Sequence, residues 1–137
     1  MSSQDDNVAV VLSALEAFER RDMETVLSVL DPEIQTFSSP ELANPVDAVG
    51  REQWLQWMGD WLDAWEGFEV EFEKVEPVGQ HHVVVDMYQR ARGKESGVGV
   101  ELRVYTMFEI REGIAKRYHL YPDREQALEA AREGESA

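Results

Sequence analysis

The sequence predicts one α+β domain, with helices framing a curled, mainly antiparallel sheet. Three observations predict it. Apolar residues recur at helical spacing through residues 8–30 and 54–65, and from Phe68 onward the period changes to two. The alternating runs after Phe68 are joined by turns of a few residues, which makes the last four strands antiparallel neighbours. The 137 residues contain no internal repeat and no linker, and 43% of them are hydrophobic, enough for a single buried core across 1–137.

Each element has its own signal. In "DDNVAVVLSALEAFERRD", Val8, Val11, Leu12, Leu15 and Phe18 mark one helical face, with Asp6 or Asn7 as N-cap. Asp22 caps a second, short helix, "METVLSVL", which stops because Pro32 biases Asp31 out of the helical region. "EIQTF" reads as a short strand, and "SSPELANPVDAVG", with two prolines and no period, as a loop. A helix follows that holds all four tryptophans, Trp54, Trp57, Trp61 and Trp65, at spacings of three, four and four. At about 100° per residue they fall within an arc of roughly 80°, extended by Leu55, Met58 and Leu62, and Gly67 is the expected C-cap.

"FEVEFEKVE" then alternates Phe68, Val70 and Phe72 with glutamates, a half-buried strand. Strands over 81–92, 98–110 and 114–121 follow, separated by "GKESG" and "REG". "PDREQALEAAREG" closes the chain as a helix with Asp123 as N-cap and Gln126 completing a capping box. Residues 1–5 and 133–137 are expected to fray.

Charge and composition narrow the function. With 28 acidic against 13 basic residues the net charge is −15, a surface that repels nucleic-acid phosphates and anionic lipid. No apolar run approaches the roughly 20 residues of a membrane span, and "MSSQDDN" lacks the basic and apolar regions of a secretory signal, so a cytoplasmic location is expected. There is no cysteine, which removes disulfides and thiolate chemistry. His81 and His82 are adjacent and in a strand point to opposite faces, so no metal site and no cofactor is expected.

The element order resembles the nuclear transport factor 2-like fold, a cone of three to four helices on a strongly curved sheet, and within it the SnoaL-like branch of small bacterial proteins. The resemblance is carried by "ALEAFERRDMETVLSVLDPEI" at 14–34, "SPEL" at 39–42, "GREQWLQWM" at 50–58 and "YPDREQALEAA" at 121–131, which frame nearly the whole chain. Relatives include ketosteroid isomerase, limonene epoxide hydrolase, scytalone dehydratase and polyketide cyclases, so the fold by itself selects no activity. The resemblance implies that the tryptophan helix forms one wall of the cone and looks across a pocket at the concave sheet face. Trp57, Met58 and Trp61 are then pocket residues, with Trp54 and Trp65 as packing or rim residues at the helix ends.

Strand alternation sorts the sheet. Val100, Leu102, Val104, Thr106, Phe108 and Ile110 share the apolar, concave face, and Ile114, Tyr118 and Leu120 match it on the last strand. Over 81–92 both parities are mixed. Alignment with the family puts Val84, Asp86, Tyr88 and Arg90 on the concave side and Val83, Val85 and Met87 on the convex side; a slip of one residue reverses this. The expected ligand pocket is therefore Trp57, Met58, Trp61, Val84, Thr106, Phe108, Tyr118 and Leu120, with Asp86 and Tyr88 as candidate catalytic residues. A buried Asp86 would serve as general acid or base, and Tyr88 would donate to a substrate oxygen.

The chain departs from its enzyme relatives. Leu120 stands where epoxide hydrolases and SnoaL-type cyclases place an acid. No arginine precedes Asp86 on its strand, and Asp47, in the region of the isomerase base, has unrelated surroundings. The reading carried forward is a binding protein for a small, largely apolar organic ligand. The alternatives are an isomerase, cyclase or hydrolase using Asp86, and a structural cone filled by its tryptophans. Met87, Tyr105, Met107 and Tyr121 on the convex face, with no helix expected to cover them, predict a homodimer through that face.

Overall fold

The computed structural model describes residues 3–42 and 44–136. Helices α1 (Ser3–Glu19) and α2 (Met23–Ser28) lead into β1 (Leu30–Ser38) and β2 (Val46–Val49). Helix α3 (Arg51–Asp63) precedes the long strands β3 (Trp65–Val78), β4 (His82–Gly93), β5 (Gly99–Arg111) and β6 (Ile114–Tyr121), and α4 (Arg124–Ser136) ends the fold. The six strands form one sheet in the order β2-β1-β6-β5-β4-β3. Among the described residues only the β1–β6 pair is parallel, so the sheet is mainly antiparallel.

Several boundaries differ from the sequence expectation. Helix α2 stops at Ser28, and Leu30, expected in the helix, starts β1 opposite Ala115. The loop ahead of α3 contains β2, whose Val46–Val49 pairs with Gln35–Ser38. Asn7 is not an N-cap: it lies inside α1, and its Nδ2 donates to the carbonyl of Gln80 at 2.7 Å. Helix α3 ends at Asp63 with Ala64 as C-cap, so Trp65 belongs to β3 and only three of the tryptophans share the helix. Gly67 is not a C-cap. It sits in β3 with φ near 60°, between the register points Glu66 and Glu69, where a bulge needs a left-handed residue.

The sheet is packed on both faces. Helices α1 to α3 cover the concave face around Val11, Leu15, Ile34, Trp54, Val85 and Phe108. Helix α4 covers part of the convex face with Ala127, Leu128 and Ala131 against Val84 and Met107. Asp123 caps α4, its Oδ1 accepting from the Gln126 backbone N–H at 2.9 Å and its Oδ2 from the Gln126 side chain at 2.6 Å.

The C-terminal residues expected to fray continue α4, and they are tied down there. The Glu135 carboxylate accepts from the backbone N–H groups of Gln80 and His81 at 2.8 Å each and pairs with Nδ1 of the fully buried His82. Burial pushes the Glu135 carboxyl up, but the bonds from His82, Gln80 and His81 outweigh it and hold it below the usual carboxylate range. At the other end, residues 3–5 are part of α1, while Met1, Ser2 and Ala137 lie outside the described residues. Among the described residues no helix is long and apolar enough to cross a membrane.

The helix on the convex face revises the expected dimer surface. Met107 is 3% exposed beneath α4, and Met87 lies on the opposite, concave face. Two of the four residues of the expected stripe are therefore unavailable to a partner, because the amphipathic last helix turns back onto the sheet instead of leaving it bare.

Candidate functional site

The concave face carries the site. From β5, the even-numbered Leu102, Val104 and Phe108 point inward, and from β6 so do Tyr118 and Leu120. Phe68, Val70 and Phe72 add the inward row of β3, and Trp54, Trp57, Met58 and Trp61 of α3 form the facing wall. Between these elements lies a cavity of about 80 Å³, closed further by Leu15 and Phe18 of α1 and by Ser38, Leu42 and Asn44 beside β1.

The aromatic rings lock together edge to face. Tyr118 meets Trp54 at 6.3 Å, Trp57 at 6.2 Å and Phe108 at 5.2 Å between ring centroids. The Trp57 indole donates to the carbonyl of Asn44 at 3.3 Å, which fastens the loop after β1 to α3. Trp61 and Trp65 stack at 5.2 Å, T-shaped, beside a shallow depression that adjoins the cavity through Phe68, Gln89 and Leu102.

On β4 the expected faces are reversed. The strand pairs with β5 without a register shift, Val83 opposite Phe108, Val85 opposite Thr106, Met87 opposite Val104 and Gln89 opposite Leu102. The odd-numbered residues of β4 therefore share the concave face, and Met87 and Gln89 line the cavity. Val84 is buried, but under α4. Asp86 lies on the convex face, where Arg124 of α4 holds it through Nε at 3.2 Å while the same guanidinium bonds Glu76 at 2.8 Å. Tyr88 is also convex, with the Arg103 and Arg90 guanidinium groups at 4.7 and 5.6 Å from its ring centre. Hydrogen bonding to Glu101 pushes its hydroxyl above the usual phenol range. Neither residue is among those that line the cavity.

Of the expected pocket residues, Trp57, Met58, Trp61, Phe108, Tyr118 and Leu120 line the cavity and Val84 does not. Thr106 shares their face but is fully buried between them, its hydroxyl donating to Sδ of Met87 at 3.4 Å. Sequence reasoning missed Asn44, Phe68 and Gln89 as lining residues; Trp54, expected as a packing or rim residue, is packed at 2% exposure and also borders the cavity. The odd parity of β4 would have found Gln89, and the inward row of β3 already contained Phe68.

The lining is mostly apolar, with Ser38, Asn44, Gln89 and Tyr118 as its polar side chains apart from the indole N–H groups. Among the described residues that enclose the cavity there is no carboxylate, imidazole, amine or guanidinium. Tyr118 is its one titratable side chain, and burial pushes that hydroxyl far above the usual phenol range, so it stays protonated and serves only as a hydrogen-bonding group. Elsewhere among the described residues no group of three or more His, Asp or Glu side chains is placed to hold a metal ion.

Among curated proteins nothing matches the sequence. The fold has many solved counterparts. A nuclear transport factor 2-like protein of unknown function from Burkholderia pseudomallei is 18% identical, with a TM-score of 0.76 over 93% of this chain and 95% of its own. A putative polyketide cyclase from Xanthomonas campestris is 16% identical, with a TM-score of 0.72 over 95% and 99%. TerC, solved with polyporic acid, is 18% identical, with a TM-score of 0.73 over 93% and 98%. At these identities the likeness is one of fold. The sequence itself matches the SnoaL-like domain over residues 11–118, from α1 through most of β6. The chain belongs to the SnoaL-like domain family.

Proposed function

We propose that this protein binds a compact, largely apolar organic molecule in the cavity between α3 and the concave sheet face. The observation that carries this reading is an open cavity of about 80 Å³ walled by aromatic and aliphatic side chains, with no acid or base that could move a proton. General acid–base catalysis needs a titratable group within hydrogen-bond reach of the reacting atom. Asp86, the residue that would have supplied it, is on the other side of the sheet. The size favours a ligand of about one ring, since drug-sized pockets run to roughly 300–1,000 Å³. The TerC complex with polyporic acid supports the general idea that this fold accommodates organic molecules.

The four indole N–H groups make a direct test by NMR. Titration with p-xylene is expected to shift the signals of Trp54, Trp57 and Trp61, which line the cavity, in a saturable way, and to move Trp65 least. Single Trp→Phe variants assign the four signals. If p-xylene moves none of them, or moves only Trp65, the cavity is not a binding site.

A further inference from the structure

Four residues border both the cavity and the shallow depression beside it: Trp61, Phe68, Gln89 and Leu102. They form the partition between the enclosed space and the surface. Three of them are held firmly. Trp61 packs edge to face on Trp65, and Gln89 and Leu102 sit opposite each other on β4 and β5, strands that are paired along both edges. Phe68 is placed differently. It lies on β3, at the edge of the sheet, where Gly67 and Phe68 stand between the register points Glu66–Arg92 and Glu69–Arg90 and together face the single residue Ala91. Gly67 has φ near 60°, and nothing lies within 4 Å of where its side chain would be. The backbone that carries Phe68 is therefore the least constrained part of the partition.

Arg21 supplies a constraint from outside the sheet. It stands just past the end of α1, and its side chain bridges the two phenylalanines that close this side of the cavity. Its Nη1 donates to the carbonyl of Phe18 at 2.9 Å and its Nη2 to the carbonyl of Phe68 at 3.4 Å. The guanidinium lies 4.8 Å from the ring centre of Phe18 and 6.0 Å from that of Phe68. Arg21 makes these contacts from a left-handed backbone, φ 59°, at a helix end where glycine is the unstrained residue. Glycine would relieve that strain and lose the bridge.

We propose that Phe68 is the door of the cavity and Arg21 its latch. Small apolar molecules enter and leave through the depression beside Trp61 and Trp65, when Arg21 releases the Phe68 segment and it swings outward. This rests on the cavity being a binding site and adds its route of entry. The bond to the Phe68 carbonyl is the longer of the two that Arg21 makes, and it is the one that must break. The latch closes over the empty and the occupied cavity alike, so it governs rates rather than affinity.

Exchange of p-xylene tests this, read from NMR line shapes of the indole N–H signals in the unaltered protein and in Arg21→Gly. Glycine suits the backbone at this position, so the urea midpoint of Arg21→Gly should stay close to that of the unaltered protein. The association and dissociation rates of p-xylene should both rise about 10-fold while Kd stays within about twofold. Arg21→Asn, which also tolerates positive φ, should behave in the same way and makes the comparison should glycine loosen the end of α1. Binding of p-xylene with unchanged rates in both variants overturns the latch. Faster exchange in Trp57→Phe, which frees the loop at Asn44, and none in Arg21→Gly also overturns it and puts the entrance at that loop. Affinity that falls in step with the urea midpoint makes Arg21 a structural residue only. Absence of p-xylene binding to the unaltered protein removes the binding site itself, and the door with it.

Discussion

Arg124, in the first turn of α4, reaches back to the sheet and places its Nε 3.2 Å from Oδ1 of Asp86 on β4. The pair is partly buried, with side-chain exposures of 28% and 18%, and the guanidinium also bonds Glu76. It fastens the start of the last helix to the convex face as Glu135 and His82 fasten its end. Asp86→Asn is therefore expected to cost about 0.5–1.5 kcal/mol in urea unfolding, because Arg124 retains Glu76 and half of its former contact. Affinity for p-xylene should not change. Lost binding at an unchanged unfolding midpoint would show that Asp86 acts on the ligand after all.

Met107 tests the coverage of the convex face. It packs beneath Ala127, Leu128 and Ala131 of α4, so Met107→Ala should cost about 2–5 kcal/mol through the cavity left behind. Its sedimentation in native buffer should match that of the unaltered protein. A variant that sediments as a smaller species with its unfolding midpoint intact would put Met107 at a subunit interface instead.

What could be seen in the sequence divides along physical lines. Strong periodicity was legible: α1, α3, the alternation of Phe68, Val70 and Phe72, and the even-numbered inward row of β5 stand where the pattern puts them, though Leu12 of α1 and Leu55 of α3, read onto the inward faces, are 39% and 40% exposed. Strand β4 was not, because Val83, Val84 and Val85 are apolar on both parities and both are buried, one set under α1 to α3 and the other under α4. Alternation cannot orient a strand that is covered twice. The same helix was read correctly as a helix, with its Asp123 cap, yet its destination is a tertiary fact that no local pattern carries. Strand β2 is only four residues long and half exposed, too short to show a period. Trp65 continues the helical spacing by coincidence, after α3 has ended.

His119 gives the fold a pH dependence. On the convex side of β6 its ring lies 5.5 Å from that of Phe37, and burial, helped by the charge of Arg117, pushes its pKa down to about 4 from the ordinary 6.5. The folded chain therefore holds this imidazole neutral while the unfolded chain protonates it. Its contribution to stability is complete above about pH 6.5 and is lost as the pH falls from there toward 4. After allowance for solvent around a partly exposed ring, the loss should reach about 2 kcal/mol. Unfolding free energies measured between pH 4 and 7 should flatten in His119→Phe relative to the unaltered protein. An identical pH slope in both would mean that His119 does not titrate with folding.

The tryptophans separate packing from lining. Removing an indole from a packed core leaves a cavity and typically costs about 3–5 kcal/mol. An indole that already borders empty space has fewer neighbours to lose on that side. Trp54 is 2% exposed, meets Tyr118 at 89° and packs within the main core, so Trp54→Ala should cost the full amount. Trp57 is only partly buried and borders the cavity, but it also holds Asn44 through its N–H and touches Tyr118, which places Trp57→Ala in between. Trp61 makes its one ring contact with Trp65, away from the core cluster, and its truncation should cost least, about 1–2 kcal/mol. Urea midpoints should fall in the order Trp61→Ala, Trp57→Ala, Trp54→Ala, from smallest loss to largest. Both Trp57→Ala and Trp61→Ala should stay folded and enlarge the cavity, so each should admit a bulkier hydrocarbon such as naphthalene more readily than the unaltered protein does. If Trp61→Ala destabilises as much as Trp54→Ala, no open space lies against that face of α3, and the helix is core along its whole length.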